Sequence, residues 1–390
     1  MTHSSPSSFT FATVPQLICE PGAATQLGQH IAMRFPRARR ALVVTDPGFL
    51  QTGLVAAPIA SLEQHGLSVQ VYSGVVADPP EAVVRLAVDF ARAHDTDLVI
   101  GIGGGSSMDV AKLIAVLVGS EQDLSQIYGI GNVAGTRVPL VQIPTTAGTG
   151  SEVTNIAIVT TGATTKMGVV APQLFADMAI LDATLTLGLP PLVSAATGID
   201  AMVHAIEAYT SKHKKNPLSD ALAQQALGLL SKNIIRVCEN GADLAARQAM
   251  LLGAFLAGQA FSNAPVAAVH ALAYPIGGIF HVPHGLSNSL VLPHVLRFNM
   301  SHASEQYAQL ASIVAPHVEG SAEARAEALI VAMQQIAKVT GIETTLQQVG
   351  IQHSDLDQLA DDAMLQTRLL GNNPRELLRD DAYAIYSAAL

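Results

Sequence analysis

Four side chains in the second half of the sequence are of types that bind a divalent metal ion. Asp200 and His204 are four residues apart, so a helix would place both on one face. His270 lies in an apolar segment and His284 follows a proline. One carboxylate and three imidazoles suit Fe²⁺ or Zn²⁺, although a single histidine inside an apolar segment is more often part of a core. Glu207 shares the helix face of Asp200, either as a further ligand or as a carboxylate that orients one.

A glycine-rich segment in the first half has the composition of a phosphate site. This glycine loop, residues 101–106, follows an apolar strand and begins a helix. Glycine lets the backbone approach an anion, and the N–H groups at a helix start carry partial positive charge. The spacing departs from Gly-x-Gly-x-x-Gly, because Ser106 stands where the third glycine would be. A tight strand-to-helix turn that binds nothing is the alternative.

Two further segments favour a dinucleotide. Asp46 ends the first strand of a βαβ unit, where a carboxylate accepts hydrogen bonds from ribose hydroxyls. The same charge repels a 2′-phosphate, so NAD is favoured over NADP. The alternative for Asp46 is a simple Asp-Pro-Gly turn. The threonine loop, residues 145–150, offers hydroxyls and bare backbone at a strand end, which suits phosphates or the nicotinamide ribose.

The elements that must position these groups differ between the two halves. Up to about residue 185, β-branched runs alternate with amphipathic segments, which predicts βαβ units and a parallel sheet. Strands are expected at 9–18, 41–45, 69–72, 97–101, 139–143 and 156–160, and helices at 55–65, 81–94 and 108–118.

The remainder of the chain is predicted to be helical, with no strand. Helices are expected from residue 217 for about fifteen residues and at 244–261, 322–339, 344–349 and 354–369. The sequence therefore predicts an α/β domain over residues 1–187 that binds NAD. An all-helical domain over 188–390 is expected to bind metal and substrate.

Composition excludes several classes of protein. Of 390 residues, 49% are hydrophobic and 13% charged, which argues against disorder. The formal charge of −10 and the absence of long basic runs argue against nucleic acid as a partner. Two cysteines are too few for a Cys-based zinc site. The apolar stretch 250–280 is interrupted by polar residues and prolines, so we expect core helices and no membrane partner. No secretory signal pattern is present, which favours a cytoplasmic location.

Four motifs in order resemble those of the iron-containing (group III) alcohol dehydrogenases. They are Gly-Gly-Gly-Ser-x-x-Asp at 103–109, Pro-Thr-Thr-Ala-Gly-Thr-Gly-Ser-Glu at 144–152, Ala-Thr-Gly-Ile-Asp-Ala-x-x-His-Ala-Ile-Glu at 196–207, and Val-Pro-His-Gly-Leu-Ser-Asn at 282–288. The resemblance implies an architecture shared with dehydroquinate synthase, in which an α/β dinucleotide-binding domain precedes a helical domain. It implies a metal-dependent alcohol dehydrogenase or aldehyde reductase that exchanges a hydride with NAD(P), and a homodimer or larger homo-oligomer.

The resemblance also implies roles for individual residues. Fe²⁺, or alternatively Zn²⁺, would be bound by Asp200, His204, His270 and His284. The cofactor would be contacted by Asp46, Gly103, Gly104, Gly105, Ser106, Thr145, Thr146, Thr149 and Lys166. Asp109 closes the glycine motif and is expected to orient the loop.

Two positions depart from the pattern of many relatives. Tyr274 stands where they carry a second histidine, and Asp78 replaces an asparagine beside the cofactor. Tyr274 and His281 are therefore our candidates for the acid/base group. The segment 257–269 is small and apolar with Phe261 as its only bulky aromatic residue, and no arginine occurs between Arg137 and Arg236. Both observations favour a small, uncharged alcohol over a dicarboxylate.

Three alternatives accompany this reading. A metal-independent reductase of the maleylacetate reductase kind would not need the four intact ligand positions. A lyase similar to dehydroquinate synthase would need a cluster of basic residues for a phosphorylated substrate. A non-catalytic NAD-binding sensor would leave the ligand set without a purpose.

Overall fold

The computed structural model describes residues 8–162 and 165–390, which form two compact units. The first unit spans Thr13–Gly188. The second contains Leu189–Leu390 together with the described residues before Thr13. For the main body of the chain, the division lies close to the expected boundary between residues 187 and 188.

The first unit is built on short strands of aliphatic and β-branched residues. They are β1 Leu17–Cys19, β2 Arg40–Val44, β3 Ser68–Tyr72, β4 Leu98–Gly103, β5 Gly129–Ile130, β6 Leu140–Pro144, β7 Ile156–Thr161, β8 Thr165–Val170 and β9 Met178–Leu181. Six of them form a parallel sheet in the order β1-β9-β6-β4-β2-β3. This sheet confirms the expected α/β class. β4 is buried along its whole length, as a central strand of a parallel sheet should be.

Helices connect these strands. They are α1 Leu27–Arg34, α2 Pro47–Gln51, α3 Ala56–Gln64, α4 Glu81–Ala93 and α5 Gly105–Leu117. In α4 the buried residues are Val84, Ala87, Val88 and Ala91, whose spacing of three and four defines one face of a helix. α5 begins at Gly105, three residues earlier than its apolar pattern predicts, so the glycine loop itself becomes the helix start.

One strand prediction in this unit was wrong in extent, and another strand was found where expected but in a second sheet. The expected strand over 9–18 is confined to Leu17–Cys19, because Ala12 instead exchanges backbone hydrogen bonds with the Asn263 side chain and Pro15 has no N–H to donate. β7 occurs where a strand was expected, but it belongs to a separate three-stranded sheet, β5-β8-β7, in which it pairs antiparallel with β8.

The second unit is helical over its described residues, as expected. Its helices are α6 Pro191–Thr210, α7 Pro217–Glu239, α8 Leu244–Asn263, α9 Ala268–Phe280, α10 His284–Val314, α11 Ala322–Thr340, α12 Leu356–Met364, α13 Thr367–Leu370 and α14 Arg379–Ala389. α6 packs against α7, α8 and α10. Every residue from Gly198 to Thr210 is buried, so α6 is the core helix of this unit.

Three helix predictions needed correction. The helix that begins at Pro217 runs to Glu239, longer than the expected fifteen residues, because buried residues continue at helical spacing through Leu230, Ile234 and Val237. The helix expected over 354–369 is divided into α12 and α13, since Gln366 leaves the helical conformation. The helix expected over 344–349 is a single 3₁₀ turn, Leu346–Val349, that ends at Gly350 with a positive φ.

No single helix among the described residues is long and apolar enough to cross a membrane. The pair α8 and α9 meets the length and composition criterion only when taken together, and its two helices are bent by 107°.

Candidate metal and dinucleotide sites

Three polar residues lie on the buried part of α6. Asp200, His204 and Glu207 are exposed by only 1%, 4% and 3%. Burial of a polar or charged side chain costs free energy unless it finds a partner. These residues therefore must be satisfied by neighbouring helices or by a bound ion.

Two histidines from other helices meet Asp200. The Nε2 atoms of His270 on α9 and His284 on α10 lie 3.8 and 3.7 Å from Oδ1 of Asp200. One ligand atom from each of these residues lies within 4.8 Å of the others, so we call Asp200, His270 and His284 the ligand group. His204, the fourth expected ligand, is outside this group at that distance. Its ring stacks on the His270 ring with centroids 4.7 Å apart.

Gly285 permits this convergence. A Cβ atom at Gly285 would lie 2.3 Å from the carbonyl oxygen of Ala196 and 3.2 Å from Cβ of Asp200. Only glycine therefore allows the first turn of α10 to approach α6 so closely. Because His284 is the first residue of α10, this approach brings its imidazole to Asp200.

Glu207 fixes the orientation of His270. Its Oε2 accepts a hydrogen bond of 2.6 Å from Nδ1 of His270, and its Oε1 accepts one of 2.7 Å from the backbone N–H of Val269. In a neutral imidazole, a proton on Nδ1 leaves the lone pair on Nε2, which faces Asp200. This is the geometry of an orienting carboxylate and not that of a ligand to the same group.

Asn288 completes the surroundings of Asp200. It lies one helical turn after His284 and donates from Nδ2 to Oδ1 of Asp200 at 2.6 Å. Burial alone would raise the pKa of Asp200. The positive charge that His204, His284 and His270 carry when protonated, together with the Asn288 hydrogen bond, outweighs burial and lowers this pKa below its ordinary value. The carboxylate is thus held ionised, as a metal ligand must be.

The residues present fit a divalent cation. Nε2 of His270 is buried and has no hydrogen-bond partner among the described residues. A buried nitrogen that finds no partner calls for an explanation, and an ion bound at this position would supply one. The mixed oxygen and imidazole donors suit Fe²⁺ and Zn²⁺ alike.

The two acid/base candidates occupy different surroundings. The Tyr274 ring, half-buried on α9, lies 5.9 Å from the His284 ring between centroids. His281 is exposed at the end of α9 and has φ 56°, in the left-handed region. The structure therefore places Tyr274 beside a member of the ligand group.

The glycine loop, the threonine loop and Asp46 follow the ends of adjacent strands of the parallel sheet. β4 pairs with β2 on one side and with β6 on the other, with Gly103 opposite Pro144. The chain runs outward from β2 to β3 and then crosses back to β4. Such a switch point leaves a crevice at the carboxyl ends of the strands, which is where open α/β sheets bind ligands.

The glycine loop forms the start of α5 at this crevice. Gly104 is the residue before the helix, and no side chain caps the helix there. The first N–H groups of α5 thus remain available to an anion, and Ser106 is half-exposed in the first turn. A Cβ atom at Gly105 would come within 2.8 Å of Cγ2 of Thr149, so the glycine loop and the threonine loop are in close contact.

Asp46 caps the short helix α2. Its Oδ1 accepts a hydrogen bond of 2.9 Å from the backbone N–H of Phe49 and so caps α2. Its Oδ2 lies 3.6 Å from where a Cβ of Gly103 would be. The Asp-Pro-Gly segment thus begins a helix instead of forming an isolated turn, and the carboxylate also lies close to the glycine loop.

The other expected cofactor residues lie nearby in the same unit. Thr145 donates its backbone N–H to the carbonyl oxygen of Gly103 at 3.0 Å, and the Thr146 side chain is the nearest group to Gly104. Asp109 accepts hydrogen bonds from the Ser151 hydroxyl at 2.6 Å and the Ile158 N–H at 3.0 Å.

Asp78 and Lys166 form an ion pair. Nζ of Lys166 lies 2.7 Å from Oδ1 of Asp78. Thr160, opposite Lys166 on the neighbouring strand, donates its hydroxyl to the Asp78 carbonyl oxygen and its N–H to that of Pro79. Asp78 has φ 49°, a conformation that asparagine and aspartate tolerate better than most residues. The carboxylate in place of an asparagine thus pairs with the lysine expected near the cofactor.

Sequence reasoning did not single out two residues that the structure places at these sites. Asn288 was named only as part of a motif, although its spacing of four residues from His284 places both on one face of a helix. Lys112 is fully buried in α5. A lone cation in the apolar run from Val110 to Leu117 was the corresponding signal.

Comparison with known proteins matches both halves of the chain to one family. The family model described as iron-containing alcohol dehydrogenase matches residues 15–183, and the model for the C-terminal part of the Fe-containing alcohol dehydrogenase family matches residues 194–390. A long-chain-alcohol dehydrogenase of Geobacillus thermodenitrificans is 44% identical, with 90% of each chain covered.

Two other relatives cover nearly the whole chain. The NAD-dependent methanol dehydrogenase of Bacillus methanolicus is 34% identical over 97% of this chain and 99% of that protein. The crystal structure of a 1,3-propanediol oxidoreductase superposes with a TM-score of 0.94 at 33% identity, covering 98% of this chain and 100% of the other.

Proposed function

The chain belongs to the iron-containing alcohol dehydrogenase family, and on that premise we propose that Asp200, His204, His270 and His284 hold its metal ion. Its relatives are alcohol dehydrogenases and aldehyde reductases. The chain is accordingly an oxidoreductase that exchanges a hydride between an alcohol and NAD. The metal-independent reductase, the lyase and the sensor are not favoured by these relatives.

The buried ligand group is the observation that carries the metal assignment. When bound, a divalent ion such as Fe²⁺ supplies Lewis acidity toward the alcohol oxygen and lowers its pKa. Asp200 contributes the anionic donor, and Glu207 holds His270 with its Nε2 lone pair directed to the group. The stacking of His204 between Phe261 and His270, with centroid separations of 4.3 and 4.7 Å, fixes the plane of the fourth imidazole.

For the dinucleotide we propose NAD, held by the α/β unit, Thr13–Gly188. The uncapped start of α5 would receive the pyrophosphate, and Asp46 would accept hydrogen bonds from the adenosine ribose and repel a 2′-phosphate. The threonine loop, Lys166 and Asp78 would border the rest of the cofactor. Asp109 would act on the loops without touching it, since both of its oxygens already accept hydrogen bonds from the protein.

For the proton we propose Tyr274 in preference to His281. Its ring lies beside His284, whereas His281 is exposed at the end of α9. A phenol can both donate and accept, so Tyr274 can relay the alcohol proton toward solvent.

The substrate that the helical unit, residues 188–390, would accept is a small, uncharged alcohol or aldehyde. Phe261 packs against His204, and the surrounding segment from Ala257 to Val269 is apolar. The similarity to a long-chain-alcohol dehydrogenase supports an apolar substrate and makes chain length the variable to test. We further propose a cytoplasmic enzyme that forms a homodimer or larger homo-oligomer.

The test is anaerobic NADH oxidation with aldehydes from two to twelve carbons, about the range that separates short from long alkyl chains. Protein stripped by a chelator should be inactive, and added Fe²⁺ or Zn²⁺ should restore activity. Activity that persists after the metal has been shown by elemental analysis to be absent would overturn the proposed metal role. Replacement of NADH by NADPH should lower kcat/KM, and equal use of both would overturn the role of Asp46.

A further inference from the structure

A fully buried lysine lies behind the glycine loop. Lys112 is two turns after Gly105 on α5, and its side chain is 0% exposed. A buried ammonium group is costly unless all of its protons are donated and its charge is balanced. The surroundings of Lys112 meet both conditions.

The three protons on Nζ of Lys112 are all donated to the segment 151–156. Nζ donates to the hydroxyl of Ser151 at 2.8 Å, to that of Thr154 at 3.1 Å and to the carbonyl oxygen of Ile156 at 2.6 Å. This segment follows directly after the threonine loop. Lys112 thus connects the helix that begins at the glycine loop with the end of the threonine loop.

Two nearby carboxyl groups favour the charged form of Lys112. Oδ1 of Asp109 lies 3.5 Å from Nζ and accepts the Ser151 hydroxyl as well. Glu152 is 2% exposed. Burial lowers the pKa of Lys112, while Asp109 and Glu152 raise it. Lys112 and Asp109 both contact the Ser151 hydroxyl, and together they fix the start of the segment 151–156.

The cluster is coupled to the candidate dinucleotide residues by packing. Thr149 Oγ1 accepts a hydrogen bond of 3.3 Å from the backbone N–H of Ser151. The methyl group of Thr149 presses against the backbone at Gly105, where a Cβ would be only 2.8 Å away. A shift of Ser151 would therefore move Thr149 against the start of α5.

We infer that Lys112 is a positioning residue for the dinucleotide: it sets the spacing between the glycine loop and the threonine loop. It does so from the interior, through Ser151 and Thr154, and does not touch the cofactor. This inference rests on the proposed NAD site. It predicts that removal of these hydrogen bonds weakens dinucleotide binding beyond any effect on folding.

The principal test measures the Kd for NADH by fluorescence, alongside thermal stability and metal content. Lys112→Met should weaken NADH binding by about tenfold or more, and raise KM for NAD without a matching change in KM for the alcohol. Metal content should stay the same, because the proposed ligands are carried by other helices.

A matched control is available in the helical unit. Arg247 is a cation exposed by 3% that donates to the Ser194 hydroxyl and to the carbonyl oxygens of Gly241 and Leu189. Arg247→Met should lower the melting temperature but leave the Kd for NADH within about twofold of wild type. Equal weakening by both variants would show a general loss of stability and overturn the inference.

A milder pair of variants applies even if Lys112→Met fails to fold. Thr154→Val keeps the shape and removes the acceptor, whereas Thr154→Ser keeps the hydroxyl. We expect roughly threefold weaker NADH binding for the valine variant and restored binding for the serine variant. Unchanged NADH binding in Thr154→Val would overturn the role of Lys112 but leave the proposed function standing. A wild-type protein that does not bind NADH would overturn both.

Discussion

The Glu207 carboxylate accepts a 2.6 Å hydrogen bond from Nδ1 of His270, and both side chains are almost fully buried. This contact decides which nitrogen of His270 faces the ligand group. It also explains why a glutamate is found on the buried face of α6, where an unpartnered carboxylate would be costly.

Glu207→Gln should therefore weaken metal binding by about 10- to 100-fold. A neutral amide is a poorer partner for Nδ1–H and does not raise the basicity of the ring. Metal affinity can be measured by competition with a chromogenic chelator. Glu239→Gln, at the exposed end of α7, is the matched control and should bind metal as wild type does. Wild-type affinity in Glu207→Gln would contradict the orienting role.

Gly285→Ala should reduce both stability and metal affinity. The added methyl would overlap the Ala196 carbonyl oxygen, and separating α10 from α6 would cost about 1–3 kcal/mol. Gly228→Ala in α7 is the control, because its Cβ would meet Ile313 at an ordinary 3.4 Å and alanine is the better helix former. Urea unfolding and metal content test both variants. Full metal content in Gly285→Ala would show that the close approach is not required.

Asp46 variants should separate cofactor choice from helix capping. Asp46→Ser keeps a capping oxygen and removes the charge, so the ratio of kcat/KM for NADP to that for NAD should rise about tenfold with little change in stability. Asp46→Ala should change the ratio similarly and also cost about 1 kcal/mol of unfolding free energy. An unchanged ratio in both variants would place the ribose elsewhere.

Tyr274 and His281 should differ in their kinetic importance. Tyr274→Phe should lower kcat at least about tenfold while KM for NAD stays constant, because only the proton relay is removed. His281→Asn should leave kcat within about twofold, and asparagine tolerates the φ of 56° at that position. The reverse ranking would transfer the acid/base role to His281.

Glu152 should make the protein less stable as pH rises. Burial raises the pKa of Glu152 to about 7 from an ordinary 4.5, while its own backbone N–H and Lys112 act in the opposite direction. Between these pH values the folded protein binds more protons than the unfolded chain, so stability falls as pH rises through this range and then levels off. Glu152→Gln mimics the protonated acid. Its unfolding free energy should match wild type below the lower value and exceed it by on the order of 3 kcal/mol above the upper one. A pH-independent difference would contradict this.

The fold class could be predicted from the sequence because the residue patterns that indicate strands and helices are local. The β-branched runs that became β2, β3, β4 and β6 end within two residues of their expected limits. β8 was missed, since Thr165–Val170 contains a glycine and depends on pairing with β7 for its stability. The extent of α7 was underestimated although the apolar stripe continues through Leu230, Ile234 and Val237, where it packs against α6 and α8.

For the candidate sites, the sequence indicated only which residue types could bind a metal or a dinucleotide. A spacing of four places Asp200 and His204 on one helix face, but nothing in the spacing shows that α9 and α10 converge on that face. The approach of α10 depends on Gly285, because any side chain at this position would overlap α6. The roles of Asn288 and Lys112 likewise depend on partners remote in sequence, Asp200 and Ser151.

The candidate metal ligands all come from α6, α9 and α10, whereas the candidate dinucleotide residues come from strands, loops and the start of α5 in the α/β unit. The two binding capacities are thus encoded by separate stretches of the gene. A mutation that removes a ligand leaves the nucleotide-binding residues unaltered, and the reverse also holds. Descendants of such a chain can lose or exchange their metal while inheriting the same cofactor, and selection can act on each property alone.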